Sequence, residues 1–157
     1  MESVTEVRSV QREIEIAASP ETVWEFLVDP EKVTRWMGLE ATLEPQPGGV
    51  YLVKVIDGHT ARGEFVEVEP PRRLVFTFGW DPGADGPSAV PPGSSTIEIE
   101  LDAAPDGDGT LLRFTHDLST VEAATQHAQG WDHYLGRLAT VAGGGEPGAD
   151  PWLSGEM

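Results

Sequence analysis

Apolar and polar residues alternate with a period of two over much of the chain, from residue 39 to residue 118, with clusters of Gly, Pro and Asp between the alternating runs. Residues 10–16 alternate in the same way, and Val10, Ile14 and Ile16 share one side of the run with Arg12. This alternation is typical of half-buried β-strands. It predicts a first strand at 10–16 and, later in the chain, an antiparallel meander of about six strands.

Helix signals lie on both sides of the meander. Ser19 precedes Pro20 and Asp29 precedes Pro30, and a capping side chain followed by proline is a typical helix start. These signals predict two short helices at about 20–28 and 30–37. A long helix is predicted near the C-terminus, where His133 points to water and the opposite side is centred on Trp131. That side contains Ala124, His127, Ala128, Trp131, Tyr134, Leu135, Leu138 and Ala142.

These elements predict an α+β fold. An open antiparallel sheet with one apolar face must be covered, and the last helix is the long amphipathic element available to cover it, so the sheet is expected to curl around that helix. We expect a single domain over residues 1–142, with its core at about 8–142, and a disordered tail at 143–157 in which Trp152 and Leu153 are able to dock. Residues 81–95 are rich in Pro and Gly and form either a lid or a floppy insertion.

One hairpin leaves its orientation open. The pair Asp57-Gly58 favours a two-residue turn. The resulting register pairs Val55 with Thr60, Val53 with Arg62, and Tyr51 with Glu64. Either the side with Tyr51 points inward and brings Arg62 and Glu64 with it, or the other side, with Leu52, Ile56, His59 and Gly63, does so. In the later strands, the inward residues are Leu74, Phe76, Phe78 and Trp80, then Ile97, Ile99 and Leu101, and then Leu112, Phe114, His116 and Leu118.

The composition excludes several classes of function. The formal net charge is −17, from 10 Lys and Arg against 27 Asp and Glu, and such a charge repels nucleic acid and anionic membrane surfaces. Cysteine is absent, which excludes disulfides and thiolate chemistry. No signal peptide or apolar run long enough for a membrane span is visible. We therefore expect a cytoplasmic protein with neither a nucleic-acid partner nor membrane insertion.

Five segments resemble, in order from about Arg8 to Ala142, the activator of heat-shock protein 90 ATPase homologue-like family of the START-like superfamily, also called SRPBCC. They are "ASPETVWEFLVDPEKVTRWM", "PGGVYLVKV", "GEFVEVEPPRRLVFTFGW", "GTLLRFTHDL" and "HAQGWDHYLGRL". The resemblance implies a Bet v-like helix-grip fold, in which a curved sheet of about 6–7 strands grips the last helix around a cavity. In that fold, Gly130 would let a molecule approach the helix closely, and Trp131 would fill or wall the cavity.

Candidate site residues follow from this fold. His116 and His127 both point inward and are candidates for acid–base chemistry, although each could instead serve the structure. Glu64 is a candidate base and Arg62 a ligand contact if the side with Tyr51 points inward. A wall of aromatic residues is expected to bind an apolar molecule, although the same residues could form a filled core. The predicted ligand contacts are Trp36, Met37, Tyr51, Arg62, Phe76, Phe78, Trp80, Phe114, His116, His127, Trp131 and Tyr134.

Three functions remain open at this point. The first is a protein that binds a small hydrophobic molecule of lipid, aromatic or polyketide type. The second is a cyclase or other proton-transfer enzyme that uses His116 and His127. The third is a stress-linked co-chaperone, which ranks last because co-chaperone members carry an extra N-terminal domain and residues 1–7 are too few to form one. The spacing of the histidines predicts no metal site, and no motif indicates a cofactor. A chaperone contact has no support in the sequence, and a homodimer is compatible with it.

Overall fold

A computed structural model gives the fold of residues 9–56, 59–81, 90, 92–105, 109–118 and 120–146. The strands are β1 (Ser9–Ile16), β2 (Glu40–Leu43), β3 (Val50–Ile56), β4 (His59–Glu69), β5 (Arg73–Phe78), β6 (Ser95–Ala103) and β7 (Thr110–Asp117). The helices are α1 (Pro20–Val28), α2 (Pro30–Val33) and α3 (Val121–Ala142). The predicted turn at residues 57–58, most of the 81–95 segment and most of the 143–157 tail, with Trp152 and Leu153, lie outside the described residues.

The seven strands form one antiparallel sheet in the order β1-β7-β6-β5-β4-β3-β2. The sheet is curved, and α3 packs on its inner face, which confirms the predicted helix-grip fold. The predicted inward residues of β5, β6 and β7 are buried, whereas Trp80, which follows β5, is only partly buried. Glu98 and Glu100 on β6 lie on the outer face, and both accept hydrogen bonds from Arg73. The burial of the apolar inner face against α3 and α1 supplies the core.

Both short helices begin where the sequence predicts. The hydroxyl of Ser19 accepts a hydrogen bond from the backbone N–H of Thr22, and Oδ1 of Asp29 accepts one from the N–H of Glu31. Each cap therefore satisfies one of the unpaired N–H groups at a helix start. The second helix ends at Val33 and not near residue 37 as predicted, and the chain continues through turns in which the N–H of Met37 bonds to the carbonyl oxygen of Val33 at 2.9 Å.

The register predicted for the hairpin of β3 and β4 is wrong. Ile56 pairs with His59, but Val55 is an additional residue at a bulge, so Lys54 pairs with Thr60 and every later pair shifts by one. A bulge adds one residue to one strand and changes which neighbours share a face. Tyr51 and Val53 therefore point inward, paired with Gly63 and Ala61, and Val55 at the bulge is also buried. Arg62 and Glu64 of β4 turn outward.

Candidate functional site

A cavity of about 240 Å³ lies between the sheet and α3 and is partly open to solvent. Its walls are almost entirely apolar. They are formed by Met37, Val55, His59, Phe78, Trp80, Gln126, His127, Gly130, Trp131 and Tyr134. An apolar cavity of roughly 150 Å³ holds benzene, whereas sites for larger molecules usually exceed about 300 Å³. The volume therefore fits a molecule of one or two aromatic rings.

Gly130 lies at the centre of the helical wall of this cavity. Five lining residues come from α3, at positions 126, 127, 130, 131 and 134. Positions three or four apart share one face of a helix, so position 130 lies between positions 126 and 127 on one side and position 134 on the other. A side chain at position 130 would project into the cavity. We therefore expect any side chain at position 130 to reduce the volume of the cavity.

A second, much smaller space of about 20 Å³ lies deeper between the sheet and the helices. It is lined by Leu27, Val33, Trp36, Met37, Tyr51, Leu74, Phe76, Ile99, Phe114, Trp131 and Leu135. Here the rings pack closely, and those of Tyr51 and Phe76 stack with centroids 4.2 Å apart. This part of the interior is a filled core with no room for a ligand.

His116 is fully buried and belongs to a directed chain of hydrogen bonds. The indole Nε1–H of Trp131 donates to Nδ1 of His116 at 3.0 Å, and Nε2 of His116 lies 2.8 Å from Oγ of Ser95. The Ser95 hydroxyl donates in turn to the carbonyl oxygen of Phe78 at 2.6 Å. Since Nδ1 accepts and the Ser95 proton is already used, Nε2 carries the proton of a neutral imidazole.

His127 is held in a matching way at the wall of the cavity. Its Nδ1 lies 2.8 Å from the carbonyl oxygen of Ala123, one helical turn earlier, and its Nε2 accepts the indole N–H of Trp80 at 2.9 Å. A carbonyl oxygen can only accept, so Nδ1 carries the proton and His127 is also neutral. Each interior histidine thus fixes one tryptophan of the cavity wall.

The two histidines, both predicted to point inward, lie close together, with their rings edge to face and their centroids 5.5 Å apart. All four ring nitrogens have a hydrogen-bond partner. A general base needs a free lone pair within reach of the substrate proton. Here both lone pairs accept indole N–H groups, so proton abstraction by either histidine would first require the loss of a tryptophan hydrogen bond.

Burial, and to a lesser degree the neighbouring His127, lower the pKa of His116 to about 3. Burial also lowers the pKa of His127, although the hydrogen bond to the Ala123 carbonyl opposes this shift. Both side chains are therefore neutral in the folded protein at neutral pH. Protonation would place a second N–H against each indole N–H and break both tryptophan bonds.

We expect these histidines to make folding stability depend on pH. An unfolded histidine takes up a proton below about pH 6.5, whereas folded His116 does not until about pH 3, so stability is complete above pH 6.5 and falls as the pH drops toward 3. His116 alone accounts for a loss of about 2 kcal/mol between pH 7.5 and pH 5, and His127 adds to it. Urea denaturation at both pH values measures this loss. An unchanged free energy of unfolding would contradict the neutral, bonded state of the pair.

Among the predicted ligand contacts, the structure separates three groups. Met37, Phe78, Trp80, His127, Trp131 and Tyr134 line the cavity. Trp36, Tyr51, Phe76 and Phe114 line the filled inner space, and His116 lies behind Trp131. The burial of Tyr51 raises the pKa of its hydroxyl, which keeps it neutral.

Arg62 and Glu64 do not enter the cavity. The bulge at Val55 turns both side chains to the outer face, where the Arg62 guanidinium forms an ion pair with Asp81 at 2.8 Å and lowers the pKa of that carboxyl. The prediction that Glu64 acts as a base inside the cavity is therefore wrong. Three lining residues, Val55, His59 and Gln126, are not among the predicted ligand contacts, although the spacing of Gln126 four residues before Gly130 indicates its position.

The family model for "Activator of Hsp90 ATPase homolog 1-like protein" matches residues 17–143 of this chain. The chain belongs to this family. Comparison with curated proteins finds no similar sequence.

None of the described helices combines the length and the hydropathy that a transmembrane segment needs. Within the same described residues, no group of three or more His, Cys, Asp or Glu side chains is placed to hold a metal ion.

Solved structures share this fold. The chain is 51% identical to the AHSA1-like protein RHE_CH02687 from Rhizobium etli, with 92% of this chain and 87% of that one covered and a TM-score of 0.70. It is 26% identical to CalU16 from Micromonospora echinospora, with 87% and 76% covered and a TM-score of 0.68. DynU16, from the dynemicin biosynthetic locus, has a TM-score of 0.74 at 24% identity over 90% of this chain, which spans about half (49%) of that protein.

Proposed function

We propose that this protein binds a small, neutral, aromatic molecule in the cavity between the sheet and α3. The observation that carries the proposal is the apolar cavity of about 240 Å³, whose helical wall includes Gly130, a residue without a side chain. Phe78, Trp80 and Trp131 offer ring faces and edges to a ligand, and aromatic pairs gain free energy beyond the area that they bury. Few polar side chains line the cavity, and His59 and Gln126 are among them.

The charge of the chain disfavours an anionic ligand, and the absence of Asp and Glu from the described residues of the cavity lining leaves a cationic ligand without a partner among them. With a formal net charge of −17, the protein repels anions at long range. Arg62 is paired with Asp81 on the outer face and so offers a ligand carboxylate no partner inside the cavity. A phenol, a quinone or an unsubstituted ring meets neither penalty.

Binding is better supported than acid–base catalysis. Both interior histidines use their lone pairs to hold Trp131 and Trp80. A group that fixes the wall of a binding site serves ligand recognition directly, because a pre-organised wall loses less conformational entropy on binding. Proton transfer would need the same nitrogens to be free.

The proposal is tested by native mass spectrometry of the protein purified from the organism that encodes it, followed by denaturation and analysis of any released molecule. A retained aromatic compound at one equivalent per chain supports the proposal. An empty protein whose tryptophan fluorescence also fails to respond to naphthalene, 2-naphthol and menadione would overturn it and would favour a surface interaction, including the co-chaperone function, in its place.

A further inference from the structure

Two side chains separate the open cavity from the filled inner space. Among the described residues, Met37 and Trp131 line both of them. The cavity holds about 240 Å³ on one side of this partition and the inner space about 20 Å³ on the other. These two residues therefore lie between the cavity and the inner space.

Trp131 is the fixed half of the partition. Its indole N–H bonds to the fully buried His116, and its ring packs against Phe114 with centroids 4.6 Å apart and against Phe78 at 5.9 Å. Movement of this ring would leave a buried N–H without an acceptor, which is costly. Trp131 therefore keeps its position when a ligand binds.

Met37 is the half that can change. An unbranched thioether with three rotatable side-chain bonds adapts to irregular space more readily than other apolar side chains. Its backbone, in contrast, is fixed, because its N–H bonds to Val33 and because the next residue, Gly38, makes a turn at φ +88°. A Cβ at Gly38 would lie 2.8 Å from the carbonyl oxygen of Lys54, so this turn requires glycine. The backbone of Met37 is thus held in place, while its side chain, at the inner end of the cavity, is able to change rotamer.

We infer that Met37 is the residue that determines specificity, by limiting the ligand to about two fused rings. This inference rests on the proposed function, since it concerns the length of whatever the cavity binds. Truncation of Met37 removes the γ-methylene, the sulfur and the ε-methyl group and joins the cavity to the inner space. The joined space extends toward Tyr51 and Phe76 and accepts a third ring.

The test compares two neutral probes, naphthalene and the longer N-phenyl-1-naphthylamine, by fluorescence titration of the full chain. In the unchanged protein, the longer probe is expected to bind at least about tenfold more weakly than naphthalene. Met37→Ala is expected to raise affinity for the longer probe by about tenfold or more and to change affinity for naphthalene by less than about threefold. Met37→Val, which removes less of the core, is expected to shift the same ratio in the same direction by a smaller factor.

Leu27→Ala is the matched control, because Leu27 lines the inner space but not the cavity. It enlarges the core without opening the partition, so the ratio of the two affinities is expected to stay unchanged. Three results would overturn the inference about Met37: an unchanged ratio in Met37→Ala and Met37→Val, an equal gain for both probes, or the same gain in Leu27→Ala. If the unchanged protein and Met37→Ala bind neither probe, the proposed function fails together with the inference.

Discussion

Gly130→Leu is expected to lower the affinity for naphthalene by at least about 100-fold while the protein stays folded. Gly130 lines the cavity, as do Gln126 and Tyr134, which lie four residues before and after it on the same helical face. A leucine there places four carbon atoms in a space of about 240 Å³. The ligand then loses most of the apolar contact that drives its binding. Fluorescence titration measures the loss of affinity, and circular dichroism confirms the helix content.

Gly130→Ala separates binding from stability, and Gly136→Ala is its matched control on the same helix. Alanine in place of a helical glycine stabilises a helix by about 0.5–1 kcal/mol. A Cβ at Gly136 meets no atom within 4 Å, so that variant is expected to gain stability and to keep its affinity. Gly130→Ala is expected to gain similar stability and to lose about tenfold in affinity. Equal affinities in the two alanine variants would show that Gly130 does not keep a binding site open.

The largest effect on stability is expected for His116→Leu, which should lower the free energy of unfolding by about 3 kcal/mol at pH 7.5. Leucine fills much of the volume but leaves the indole N–H of Trp131 without its acceptor in a buried position. It also removes the donor that Nε2 presents to Ser95. Chemical denaturation measures the change.

His116→Gln distinguishes lost hydrogen bonds from altered packing. Its amide oxygen can accept from Trp131 and its amide nitrogen can donate to Ser95. The loss of stability in this variant is therefore expected to be about half that of His116→Leu. If His116→Leu is as stable as His116→Gln or more stable, the hydrogen-bond chain contributes nothing and only the packing of the ring matters.

The fold could be predicted because its signals are local. Ser19 with Pro20 and Asp29 with Pro30 mark helix starts through contacts within a few residues, and period two in β5, β6 and β7 separates inward from outward side chains. The register of β3 and β4 could not be predicted in this way. A single bulge at Val55 displaced each later pair by one residue, and the alternating pattern contains no mark of the extra residue.

The site could be predicted only in part. Periodicity places Phe76, Phe78 and Trp131 on the inner side of their elements, but it cannot tell which ring packs tightly and which borders open space. That depends on volumes contributed by elements far apart in the sequence, such as Met37 after α2 and Gly130 in α3. The two bonds between indole and imidazole are equally long-range: Trp80 and His127 are 47 residues apart. Neither partner carries a local signal of the other.

The central claim, that the cavity binds an aromatic molecule, is tested most directly by following the indole N–H signals in ¹H–¹⁵N NMR spectra during titration with naphthalene. Trp80 and Trp131 line the cavity, whereas Trp24 is buried in α1 and lines neither space. We expect saturable shifts of the Trp80 and Trp131 signals, because a bound ring alters the local field, and an unchanged Trp24 signal. Signals of Trp80 and Trp131 that stay in place, or that shift no more than that of Trp24, would contradict the account.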